Sequence, residues 1–242
     1  MQNFFKLVYL CLVFSQLDCI AQQNVYSEKQ YEEYRLIDLP YIENGRIDSD
    51  SVEFVSISFE GLSKIPNPIY ELKNLKKVNM SNNLLPTLGN RFCELSKLKW
   101  LNFKNNNLQS LPDCIGDIKR LEVMYLGKNN INNLPDKVKT LNRLRIVSLH
   151  SNYFESMPNE LFSLKDIQTI NLLDNEIEEI PSDISKLKHL VELYIANNKI
   201  TYLPESILKL DKLMLLDVSG NEIKNIDLID KLREKGIEVR YK

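Results

Sequence analysis

Two histidines and four cysteines are the residues of this chain best suited to do chemistry. His150 could share a metal ion with Asp174. His150 and His189, however, stand 39 residues apart in a chain with a shorter repeat, which sets them on different rungs, and a solvated surface histidine is the expected role of each. No two of Cys11, Cys19, Cys93 and Cys114 have C-x-x-C spacing. Cys93 and Cys114 are compatible with one disulfide, while their unequal positions in the repeat favour two free thiols. Phosphate-cradling, zinc-protease and nucleophile-elbow motifs are missing from the sequence. The expectation is a chain that is no enzyme and takes no cofactor, no metal and no small-molecule substrate.

Composition bounds the elements that position these residues. The 242 residues carry a net charge of −2, and the isoelectric point is about 5.9, whereas a nucleic-acid-binding domain usually exceeds about 9. No nucleic acid is expected as a partner. Apolar residues make up 43% of the chain, enough for a continuous core, and only seven glycines are present. No flexible linker divides the chain, which fits one domain or a short array.

Residues 1–21 have the pattern of an export signal. Lys6 supplies a positive start, and Leu7 to Phe14 is an apolar run well short of the roughly 20 residues that span a bilayer. Cys19 and Ala21 are the small residues that precede cleavage, giving a mature chain from Gln22 that is secreted or held in the periplasm or cell envelope. Acylation at Cys19 is an alternative, but the charged Asp18 before it is a poor fit. Residues 22–51 read as an N-terminal cap, in which SEKQYEEYRL suits a short helix begun by Ser27.

From Val52 a 23-residue period begins. Positions 52, 75, 98, 121, 144, 167, 190 and 213 are all apolar, and the register holds through eight units without an insertion. Counting the first residue of each unit as 0, apolar residues recur at +3 and +5, which is strand spacing. One strand per unit, always in the same direction, must pair in parallel with its neighbours. A single unit cannot bury its apolar face, so stacking is required. At +8 stands a row of asparagines, Asn83, Asn106, Asn129, Asn152, Asn175, Asn198 and Asn221. A side-chain amide both donates and accepts, so the row reads as a structural ladder that satisfies the turns after the strands. Glu60 replaces it in the first unit.

These units resemble leucine-rich repeats of the LxxLxLxxNxLxxLPxxIxxLxx type, with the Leu-Pro element at Leu111-Pro112, Leu134-Pro135 and Leu203-Pro204 among others. The resemblance covers residues 52–235. It implies an α/β solenoid, a curved leucine-rich repeat array with a parallel sheet on its concave face and short helical or irregular segments on the convex side. Leu88-Gly89 departs from the pattern and is expected to loosen its convex turn. LIDKLREKG reads as a helix stopped at Gly236, and residues 236–242 as a capping strand whose Glu238 and Arg240 discourage edge pairing.

Strand alternation points +2 and +4 onto the concave face. There Phe54, Trp100, Asn102, Val123, Tyr125, Ile146, Asn171 and Tyr194, with His150 at +6, form the candidate partner-binding set. Trp100, Val123, Tyr125 and Ile146 lie on adjacent rungs and are expected to form an exposed apolar patch rimmed by polar residues, the mark of a protein contact surface. A monomeric, non-enzymatic protein-binding module is the expectation. The alternative is a carbohydrate- or lipid-headgroup-binding surface protein using the basic row Lys73, Lys97, Arg120, Arg143, Lys165, Lys188 and Lys212, although cations at the ends of convex turns also have a helix-dipole explanation.

Overall fold

A computed structural model describes residues 33–34 and 44–242 of the chain. Ten strands form one sheet in sequence order. They are β1 (Glu33–Tyr34), β2 (Phe54–Ser56), β3 (Lys77–Asn79), β4 (Trp100–Asn102), β5 (Val123–Tyr125), β6 (Ile146–Ser148), β7 (Thr169–Asn171), β8 (Glu192–Tyr194), β9 (Leu215–Asp217) and β10 (Glu238–Arg240). Every pairing is parallel, and from β2 to β9 each residue faces the one 23 positions on, as Trp100 faces Val123 and Val123 faces Ile146. The fold class is the parallel-sheet solenoid expected from the repeat.

β1 departs from the expectation. Glu33 pairs with Phe54, 21 residues on, so part of the stretch read as a helix is a strand that starts the sheet. The signal segment 1–21, the alternative acylation site Cys19 and most of the cap lie outside the described residues.

The core is the sum of two spacings. Within each strand +3 and +5 point inward and are almost fully buried, as with Met124 and Leu126. Opposite the sheet, the apolar residues fall at +17, +20 and the 0 of the next unit, a step of three. Three residues is one turn of a 3₁₀ helix, and that is what forms. Ile115, Ile118 and Leu121 line one side of such a turn and donate their N–H groups to Pro112, Ile115 and Ile118 at 2.9, 3.2 and 3.0 Å. Proline precedes six of the seven five-residue 3₁₀ turns among the described residues, where its fixed φ and missing N–H carry no penalty. Gly89 takes that place in the second repeat with φ 70°, yet the turn Asn90–Glu94 still closes. The expected loosening is not found, because Phe92 and Leu95 supply the same buried anchors.

Cys93 and Cys114 are disulfide-bonded, with Cα atoms 5.8 Å apart, and the expectation of two free thiols is corrected. The bond ties the second 3₁₀ turn to the third. Neighbouring turns meet through opposite sides, so cross-linked residues need not share a position in the repeat.

The asparagine row is a continuous ladder. Asn129 donates to the carbonyls of Phe103 and Leu126 at 3.0 and 2.9 Å, and its Oδ1 accepts the Leu108 N–H at 3.0 Å. Asn152 repeats this on Leu126, Leu149 and Ile131 at 3.1, 2.9 and 3.0 Å. The +5 carbonyl thus receives an amide proton from its own rung and another from the next. Just before the ladder, the +7 residue has positive φ on every rung: Phe59, Asn82, Asn105, Lys128, Ser151, Asp174 and Asn197, then Gly220. Asparagine, aspartate and glycine tolerate this region, whereas it costs most L-residues roughly 1–2 kcal/mol. At the other end Asn225 accepts the Leu203 N–H at 3.0 Å and donates to the Leu203 carbonyl at 2.8 Å. There α1 (Ile226–Glu234) replaces the convex 3₁₀ turn, and Arg233 then donates to the outer carbonyl of Val239 in β10 at 3.1 Å.

Three outcomes follow for denaturant melts. Asn129→Leu strands the Leu108 N–H, since both carbonyls keep a second donor, and is expected to lose about 1–3 kcal/mol; the half-buried Asn221→Leu should lose less, and a neutral Asn129→Leu would contradict the ladder. Reducing the disulfide, or replacing both cysteines by serine, should lose about 3 kcal/mol for a loop of this size, against no change if the bond does not form. Phe59 is 78% exposed, so Phe59→Asn removes left-handed strain at little packing cost and should gain about 1 kcal/mol; a loss would show that the strain is absent.

Candidate functional site

The sheet's register decides which side chains share its outer face. Trp100, Val123 and Ile146 follow one another across β4, β5 and β6, and Tyr125 stands between Asn102 and Ser148. The Trp100 and Tyr125 rings meet edge to face, with centroids 5.9 Å apart and planes at 74°, a geometry aromatic pairs favour. None of these four residues belongs to the core cluster, which takes Leu101, Met124 and Val147 from the same strands. The concave face therefore carries an apolar cluster of its own.

Its exposure differs from the sequence expectation. Trp100 is 9% exposed, Val123 1%, Tyr125 5% and Ile146 4%. The columns are as expected, but the open apolar patch is corrected to a largely buried one. Rungs about 4.8 Å apart press bulky +2 and +4 side chains against each other, and the Trp100–Tyr125 contact is one instance.

The remaining candidates fall into three groups. Asn102 and Asn171 do more than line the face: each Oδ1 accepts the N–H two residues on, from Lys104 at 3.0 Å and Leu173 at 3.1 Å. Asn79 and Asp217 do the same for Ser81 and Ser219. These are side-chain turns that end the strand, and their signal was the run of Asn and Asp at +4. His150 is half-buried with Nδ1 3.2 Å from Ser151 Oγ. A Cβ on Gly127 would stand 2.2 Å from its Nε2, so Gly127 makes the space the imidazole occupies. Among the described residues no three His, Cys, Asp or Glu gather as a metal site. Phe54 is half-buried and separated from Trp100 by Lys77, whose pKa is lowered by burial.

Tyr194 pairs in register with Asn171, two rungs beyond β6. Burial, then the negative field of Glu192 and Asp217, pushes its hydroxyl up to about 12, with Arg240 opposing. It remains a neutral hydrogen-bonding group at physiological pH. Away from this face, the basic row serves the convex turns: Lys73 Nζ donates to the Tyr70 carbonyl at 2.8 Å and Lys188 Nζ to that of Lys209 at 3.3 Å. A flank groove of about 550 Å³ is lined by Glu178, Glu179, Lys199 and Tyr202 among others; Tyr202 is exposed there, and the sequence reading did not single it out.

The leucine rich repeat family model matches residues 73–131 and 142–200. No curated protein matches the sequence. Among solved structures, a leucine-rich repeat protein of Leptospira interrogans is 26% identical with a TM-score of 0.68; the match covers 87% of this chain and 58% of that one. The ectodomain of the plant membrane receptor kinase GASSHO1/SCHENGEN3 from Arabidopsis thaliana, solved in complex with CASPARIAN STRIP INTEGRITY FACTOR 2, is 28% identical with a TM-score of 0.67, over 78% of this chain and 24% of that one. Internalin C2 from Listeria monocytogenes is 19% identical with a TM-score of 0.72, over 81% and 83% of the two chains, and shares the fold. This chain thus spans little more than half of the Leptospira protein and a quarter of the plant ectodomain. Residues 73–131 and 142–200 thus match leucine rich repeats, on a fold shared with these structures.

Proposed function

We propose that the chain is an exported, non-enzymatic module that binds a protein partner on its concave face. The observation that carries this reading is the aromatic and branched cluster at Trp100, Val123, Tyr125 and Ile146. It lies outside the core, on the face where the strands leave side chains free to vary. Backbone pairing and the ladder do not require large apolar residues at these positions. Tryptophan and tyrosine are also the residue types most enriched among interface anchors. The plant ectodomain solved with its factor bound supports a binding role for repeats of this kind. Export is supported by the disulfide, a bond that persists in oxidising compartments. No helix among the described residues is long and apolar enough to cross a membrane.

The sheet is large enough for the task. Ten strands at about 4.8 Å spacing extend over 40 Å or so, which accommodates the roughly 800 Å² per partner of a stable interface. Binding energy in such interfaces concentrates in a few anchors.

A pull-down with the chain from its native environment supplies the partner for the test. Trp100→Ala and Tyr125→Ala are each expected to weaken binding by about 2 kcal/mol or more, measured on variants whose melts confirm the fold. Lys97→Ala and Arg143→Ala are expected to bind normally at physiological salt. If the basic-row variants lose binding and the aromatic variants retain it, an anionic carbohydrate or lipid headgroup on the convex side replaces this reading.

A further inference from the structure

The +2, +4, +6 and +7 columns of the concave face sort charge along the array. From the first to the fourth repeat they hold Lys77, Lys104 and Lys128 and no carboxylate; from the fifth to the eighth they hold Asp174, Glu192 and Asp217 and no lysine or arginine. The apolar cluster, on β4 to β6, shares two rungs with Lys104 and Lys128 and ends one rung before the carboxylates. We propose that the concave face recognises a polarised protein segment, acidic toward Lys77, Lys104 and Lys128, apolar along Trp100 to Ile146, which share two of those rungs, and basic where it crosses β7 to β9. This deepens the concave-face reading above and rests on it.

The carboxylates are held in ways that keep their charge. Asp174 accepts from Asn197 Nδ2 at 2.7 Å and Ser151 Oγ at 3.4 Å, Glu192 from Thr169 Oγ1 at 3.2 Å, and Asp217 from Ser219 Oγ at 2.7 Å. Neutral donors fix an anion in place without cancelling it. Beyond burial, the charges of Glu192, on the same strand, and of Asp217, in register with Tyr194, raise the pKa of the Tyr194 hydroxyl. At the other end Lys128 is exposed on the rim and Lys104 half-exposed beside it. In β10 the cation Arg240 is paired with Glu238 at 2.8 Å, which leaves the anionic end its sign.

Opposed charges at the two ends also set direction. A segment laid across the rungs in reverse would put like charges together, and such juxtaposition disfavours the wrong partner or orientation. From the middle of the lysine group to the middle of the carboxylate group is four strand steps, about 19 Å, or about six residues of extended peptide.

The experiment titrates the intact protein with two synthetic peptides of identical composition, at low and at physiological salt. One carries a glutamate pair and an arginine pair separated by about six mostly apolar residues, with a tryptophan in the middle. The other has the same residues with the charges interleaved. The polarised peptide is expected to bind about tenfold tighter, with the difference shrinking as salt rises. Lys104→Gln with Lys128→Gln should remove the difference, as should Asp174→Asn with Glu192→Gln, both pairs keeping the wild-type melt. Equal binding of the two peptides, or no binding of either, overturns the proposal. If they bind equally but Trp100→Ala weakens both, the concave-face reading stands and only the charge pattern falls; if Trp100→Ala leaves bound peptide untouched, the concave-face reading falls as well.

Discussion

The structure depends on the side-chain amide at +8. A parallel strand of three residues satisfies little of its own backbone, and the turn that follows must reverse the chain in a left-handed conformation. That turn leaves a carbonyl at +5 and an N–H on the preceding rung facing the interior, where an unpaired group costs about 1–3 kcal/mol. Each ladder asparagine serves both, and each +5 carbonyl is shared between consecutive rungs, as Leu126 is between Asn129 and Asn152. The ladder therefore links rung to rung as well as closing each turn. With the polar backbone satisfied, the +3 and +5 residues and the 3₁₀ side chains can fill a continuous dry core.

This division of labour frees the concave face. The backbone there is committed to the sheet, the inward columns to the core, and the turns to the ladder and to the +4 side chains of Asn79, Asn102, Asn171 and Asp217. What remains variable are the +2 column, the other +4 residues and the rim. In this chain those positions hold the cluster of Trp100, Val123, Tyr125 and Ile146 and charged residues of opposite sign toward the two ends. A rigid surface with that content loses little entropy on binding.

Much of this could be read from the residues because the repeat makes each column its own control. The period, the inward set, the ladder and the face on which Trp100 and Tyr125 lie all follow from spacing. Where the reading failed, the cause was a break in phase or a contact between columns. β1 pairs 21 residues from β2, so a search in steps of 23 passes over it and the acidic start of the segment suggests a helix. Cys93 and Cys114 bond across facing sides of neighbouring turns, so their unequal positions, which argued against a bond, are what allows it. The Trp100–Tyr125 contact joins adjacent rungs, which alternation within one strand does not describe. The left-handed +7 column did leave a signal, Asn, Asp or Gly on five of eight rungs, obscured by Phe59, Lys128 and Ser151.

Hydrogen exchange of the free protein, resolved to single amides, tests most directly whether side-chain amides complete this backbone. The N–H groups of Leu108, Ile131 and Phe154 lie outside the strands and have ladder asparagines as acceptors at 3.0 Å. They should be protected as strongly as the amide of Phe103, which bonds the next strand at 2.9 Å. Exchange of these three at the rate of exposed turn amides, with Phe103 protected, would contradict the account.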